Sequence, residues 1–156
     1  MTNNESENRF KMSRREIREA VFKLVYTSEF NTEEEMDDRF QLFLDIVLPE
    51  EKKEKDLLPS EEDIASVRTK YRAIREKAAE LDELINKSSD GWKTRRMSKV
   101  DLSILRVAVY EMIYDDTVPV GVAINEAVEG AKKYGGDDSS AFINGILGKM
   151  AKEKRD

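Results

Sequence analysis

The chain has 156 residues, a length that suits one domain or two closely joined halves at roughly 150 residues per domain. Charged residues make up 38% and apolar residues 39%, and there is neither a cysteine nor a histidine. That removes disulfides, thiolate nucleophiles, histidine-dependent catalytic triads and the usual zinc and haem ligands. No run approaches the ~18 apolar residues of a membrane span, and the polar opening Met1–Asn8 lacks a signal peptide's apolar stretch. The expectation is a soluble cytoplasmic protein with no catalytic residues, cofactor or metal.

The net charge of −6 conceals a partition. Arg9, Lys11, Arg14, Arg15, Arg18 and Lys23 face only Glu16 and Glu19 in their stretch, a balance of +4. From Glu29 to Asp63, fourteen acids face four bases, a balance of −10. A basic head before an acidic middle bears on partner choice more than the sum does. The basic residues at the end, Lys149, Lys152, Lys154 and Arg155, suit the negative end of a helix dipole.

Taken in order, the segments are helical in period. Residues 1–12 read as a flexible tail. Ser13-Arg-Arg-Glu16 is a capping box opening a helix to about Phe30, and Thr32-Glu-Glu-Glu35 opens a second carrying Met36, Phe40, Phe43, Leu44 and Val47. The charged run Glu50–Lys55 reads as a linker and hinge. Ser60-Glu-Glu-Asp63 is a weaker box. After it, Ile64, Val67, Tyr71, Ile74, Ala78, Leu81 and Ile85 alternate steps of four and three, as on a long bundle helix. Past a loop at Ser88–Gly91 and a short segment from Trp92 to Met97, Val100–Tyr114 is apolar nearly all round, the mark of a central buried helix. Pro119 starts the next helix, Gly135 stops it, and Asp137, Asp138 or Ser139 caps the last. No strand alternation is evident. The reading is an all-α fold of about seven helices in two packed subdomains, about 13–58 and about 60–150, within one domain over 13–156.

On a wheel at about 100° per residue, Ile17, Ala20, Val21, Leu24 and Val25 share the core face of the first helix. Arg15, Arg18, Phe22 and Tyr26 share one flank beside it. Two readings stay open: a solvated face whose rings pack on a neighbour, or a surface where arginines meet phosphates and rings stack on bases.

Other residues favour structural roles. Glu126 and Glu129 fit pairing with Lys132 and Lys133 better than acid–base catalysis. Asn125 and Asn144 lie in apolar helices and need partners if buried. Gly145 and Gly148 suggest a close helix crossing. Met97, Met112 and Met150 fit core filler. Trp92, the only tryptophan, fits either a gap between bundles or a partner surface, and the sequence does not choose.

Pro119-Val-Gly-Val-Ala-Ile-Asn-Glu-Ala-Val-Glu-Gly-Ala-Lys-Lys-Tyr134 resembles the signature helix of the NusB family of transcription antitermination factors. Ser140-Ala-Phe-Ile-Asn-Gly-Ile-Leu147 resembles the segment that follows it. Val100–Glu111 is similar to the family's central helix, and Arg14-Arg15 with Arg18-Glu19-Ala20 and Tyr26 to its arginine-rich opening, although Ile17 stands where alanine is common. The likeness runs from Ser13 to Met150 and is weakest between Asn31 and Ser60.

The resemblance implies an RNA-binding factor without catalytic activity that pairs with the small-subunit ribosomal protein NusE. It implies binding to boxA-type single-stranded RNA, notably in ribosomal RNA transcripts, together with other Nus factors and RNA polymerase; the free protein can be a homodimer. Carried over by position, the RNA contacts are Arg14, Arg15, Arg18, Tyr26 and Asp138, with Asp101 at the partner edge. Two alternatives remain. One is the NusB-like accessory domain of a ribosomal RNA methyltransferase, which requires a longer chain with a catalytic part. The other is a helical protein-interaction module without RNA binding.

Overall fold

The computed structural model describes residues 9–155. Among them are nine α-helices, a single 3-10 turn (Thr94–Arg96) and two two-residue strands. The helices are α1 (Arg14–Ser28), α2 (Glu33–Asp38), α3 (Phe40–Val47), α4 (Glu50–Glu54), α5 (Glu61–Glu76), α6 (Ala78–Ser88), α7 (Lys99–Tyr114), α8 (Val120–Tyr134) and α9 (Ser139–Arg155). The all-α expectation holds, with a finer subdivision. The second expected helix breaks at Arg39 and the long one at Lys77, while the charged run Glu50–Lys55 forms a short helix rather than an open linker.

The chain divides into two compact units at Ala73/Ile74, inside α5. This differs from the expected division near residue 59. The reason is that α5 contributes core to the first unit: Val67 and Tyr71 are buried, and the Tyr71 ring lies 6.3 Å from that of Phe40 on α3. The Arg68 guanidinium covers the same Phe40 ring at 4.6 Å, a cation–π contact at the unit's edge.

In the first unit, α1 packs its expected stripe of Ala20, Val21, Leu24 and Val25 inward. Both expected boxes form reciprocally: the Ser13 hydroxyl accepts from Glu16 N–H while Glu16 accepts from Ser13 N–H, and Thr32 and Glu35 repeat the pattern. Donation from Thr32 holds the Glu35 carboxyl below its ordinary 4.5. The third box departs from expectation. Asp63 N–H does donate to the Ser60 hydroxyl, but the Asp63 carboxylate accepts from the Met12 N–H at 2.7 Å instead of reaching back to Ser60. Residues 9–12, placed by the sequence in a flexible tail, are therefore tied down. Strand β1 (Arg9–Phe10) pairs in parallel with β2 (Leu58–Pro59), and Met12 is 3% exposed. Residues 1–8 lie outside the described residues.

The second unit is built around α7. Ten of its residues are buried, including the unbroken run Leu102–Val109, and α6, α8 and α9 all pack against it. A helix apolar all round cannot leave any face in water, so three helices cover it. Within that run lies Arg106. Its Nε and Nη2 donate to the two carboxylate oxygens of Asp82 on α6, each at 2.8 Å. The bidentate geometry satisfies a guanidinium that burial would otherwise leave costly.

Met97, Met112 and Met150 are buried as expected, and Glu129 pairs with Lys132 at 3.5 Å. Two expectations fail. Asn125 and Asn144 are exposed rather than stitched between helices, and an added Cβ at Gly145 or Gly148 would meet nothing within 4 Å. Both glycines face open space because α9 turns that side away from α7. The glycine the packing does demand is Gly135, where a Cβ would stand 2.6 Å from the Cβ and Oγ of Ser139. No helix among the described residues is long and apolar enough to cross a membrane.

Two stability predictions follow from this packing. Asp82→Ala strands a buried guanidinium and is expected to cost about 3 kcal/mol, the low end for a pair whose carboxylate keeps some exposure. Its urea midpoint falls, and the double replacement Asp82→Leu with Arg106→Met recovers most of the loss; failure to recover would show that the pair does more than neutralise itself. Gly135→Ala forces Ser139 out of its place and is expected to cost about 1–3 kcal/mol in the same titration.

Candidate nucleic-acid interface

Helix α1 sets the geometry of the candidate site in the first unit. Because Ser13 and Glu16 fix its start and the apolar stripe fixes its roll, the orientation of its other side chains is determined. Arg14 and Arg15 are exposed, and Arg18 and Tyr26 are half-buried. Four of the five expected RNA contacts are thus carried by one helix, with the two arginines of the first turn outermost.

The acids of α1 have other engagements. Glu16 is turned back onto the helix start, where it accepts from Ser13 N–H at 2.9 Å, and Glu19 pairs with Lys23 at 3.5 Å. Phe22 differs from the wheel's placement. At 8% exposure its ring has joined the core, since it is large enough to reach inward from the edge of the apolar stripe. The exposed ring is instead Phe30, 62% exposed, which meets Tyr26 edge-on with centroids 5.1 Å apart. Sequence reasoning used Phe30 only as a helix boundary. Its place just past the last turn of α1, with its N–H donating to the Thr27 carbonyl at 3.1 Å, brings it back over Tyr26. Arginines followed by a tyrosine ring on the helix and a phenylalanine ring in the turn that ends it can pair with phosphates and stack on unpaired bases.

Asp138 and Asp101 belong to the second unit. Asp138 is exposed in the turn between α8 and α9, where its carbonyl accepts from the Phe142 N–H at 3.1 Å. Asp101 lies in the first turn of α7, its N–H donating to the Ser98 hydroxyl at 3.1 Å. Its Oδ1 is buried and has no hydrogen-bond partner among the described residues. A carboxylate short of a donor gains more from an incoming N–H than a satisfied one does.

Three comparisons bear on the chain as a whole. The NusB family model matches residues 15–152. The chain is 46% identical over 140 residues to the transcription antitermination protein NusB of Agathobacter rectalis, spanning 90% of this chain and all of that one. Identity to the NusB of Acetivibrio thermocellus is 42%, covering 92% of this chain and 91% of the relative. Among solved structures, T. maritima NusB superposes with a TM-score of 0.74 at 35% identity, covering 92% and 94% of the two chains. A NusB solved with NusE and double-stranded RNA shares the fold, with a TM-score of 0.70 at 22% identity over 90% and 96%. With the family model matching residues 15–152 and the A. rectalis and A. thermocellus relatives more than 40% identical over nine-tenths of its length, the chain belongs to the NusB family.

Proposed function

We propose that the protein is an RNA-binding transcription antitermination factor that acts without a catalytic step. It binds boxA-type single-stranded RNA, notably in ribosomal RNA transcripts, as a pair with the ribosomal protein NusE. The observation that carries this reading is the placement of Arg14, Arg15, Arg18 and Tyr26 on one helix of a chain that matches NusB over nearly its whole length. The guanidinium groups take phosphates and the Tyr26 ring takes a base, a combination suited to unstacked RNA. Asp138 serves as an acceptor for base amino groups.

Asp101, in the first turn of α7, is the proposed partner contact. Recruitment to other Nus factors and RNA polymerase in the cytoplasm belongs to the same reading. The net charge of −6 makes a basic partner's contribution to RNA affinity useful, since the whole chain repels a polyanion at long range.

The test is fluorescence anisotropy of a labelled boxA-like RNA against a scrambled one, at several salt concentrations, with and without NusE. Affinity is expected to fall linearly in log–log form as salt rises, with a slope of about −0.7 per phosphate contact on a single strand. Arg15→Glu combined with Arg18→Glu is expected to weaken binding by at least about tenfold and to flatten that slope. Salt-insensitive binding, or unchanged affinity in the double variant, would leave a helical protein-interaction module.

A further inference from the structure

We propose that the second unit carries its own contact surface for single-stranded RNA, formed by Trp92 with the basic turn Lys93–Arg96. This rests on the RNA-binding reading above and enlarges it. Trp92 does not fill a core: it is 57% exposed, and its ring meets Phe142 edge-on, with centroids 6.2 Å apart and planes at 78°. Phe142 stands one helical turn beyond Asp138, the residue of this unit already assigned to RNA.

The segment is held in place without help from the exposed indole face. Asp90 and Gly91 adopt positive φ (46° and 93°) and turn the chain out of α6. The Asn86 side chain accepts from Thr94 N–H at 2.8 Å, and the Ser89 hydroxyl donates to the Trp92 carbonyl. Met97 is buried behind the 3-10 turn. Asp90, the nearest acid before the turn, is held by Lys149 at 2.6 Å, which also raises the Lys149 pKa. The indole is therefore presented on a pre-shaped loop, so little ordering entropy is lost when a ligand stacks on it.

The charge along the turn itself has one sign. Between Gly91 and Val100 stand Lys93, Arg95, Arg96 and Lys99, with no acid among them. Lys93, Arg95 and Arg96 are exposed and form no ion pair among the described residues. Three uncompensated cations next to an exposed indole fit a phosphate backbone whose bases stack on aromatic rings. An acidic peptide could use the cations but would leave the indole face unexplained.

Because Trp92 is the only tryptophan, it reports on its own occupancy. The experiment titrates the full chain with a short boxA-like RNA and with the same RNA extended at both ends, following RNA anisotropy and tryptophan emission together. A poly-glutamate peptide is titrated in parallel. Emission is expected to quench in step with anisotropy for the extended RNA. Trp92→Ala is expected to weaken its binding about tenfold, whereas Trp92→Phe, which keeps a π face, retains most of it. Arg95→Glu with Arg96→Glu raises Kd for the extended RNA by a similar factor while far-UV circular dichroism and the urea midpoint stay unchanged. Binding of RNA with unquenched emission and unaltered affinity in these variants overturns this surface and leaves the α1 site standing. No RNA binding by anisotropy in any condition overturns both, and quenching by the peptide but not by RNA makes the surface a protein contact.

Discussion

The need to cover α7 on every side organises the second unit. Its buried run from Leu102 to Val109 leaves no stripe that water could occupy, so α6, α8 and α9 must all lie against it. That requirement also explains the buried ion pair inside. An arginine cannot be buried without its charge being met, and Asp82 meets it with two parallel hydrogen bonds. The pair ties α6 to α7 in one register. The loop that follows α6, with Trp92 and its basic neighbours, is launched from that fixed point. The turn that carries Asp138 depends in the same way on Gly135, where α8 ends against Ser139 at a distance no side chain tolerates.

The first unit works by a different device. Here two helix starts are fixed by side-chain caps rather than by all-round burial. Ser13 and Thr32 each begin a helix with a reciprocal cap, so α1 and α2 start at defined residues. Once the start of α1 is fixed and its stripe of alanine, valine and leucine is buried, the arginine-bearing flank has a single direction. The direction of that flank is thus a consequence of roll: a helix that buries Val21 and Val25 must turn Arg15 aside, while Arg14, on the buried azimuth, is exposed as the helix's first residue. The acids close at hand are drawn off, Glu16 into the cap and Glu19 onto Lys23. The strongly acidic residues that follow lie on other elements of the chain.

What could be read without coordinates was local. Helix starts came from Ser13 and Thr32 because a cap is an interaction among four consecutive residues. Core faces came from periodicity, and they held at Val67, Tyr71, Ile74, Leu81 and Ile85 on α5 and α6. The arginine flank followed from the wheel, and the family likeness rested on contiguous runs in α7, α8 and α9. Misreadings arose where a distant residue competed. The Ser60 N–H stood near Asp63 in the chain, yet it donates to the Phe10 carbonyl, and the Asp63 carboxylate accepts from the Met12 N–H, fifty-one positions away. Phe22 sat between flank and core on the wheel, and only the packing around it could settle which side it joined.

Periodicity and capping chemistry therefore determined by themselves that the protein is helical, where most helices begin, and which face of α1 carries the arginines. The sequence also carried the family likeness in contiguous runs. Only the tertiary structure decided that Arg106 has a carboxylate to meet it, that Asn125, Gly145 and Gly148 face open space, and that Trp92 stands exposed against Phe142. The physical reason is range. Caps and amphipathic stripes act within about one or two helical turns and leave a mark in neighbouring letters. Burial of an individual side chain depends on which distant element arrives to cover it, and nothing local records that.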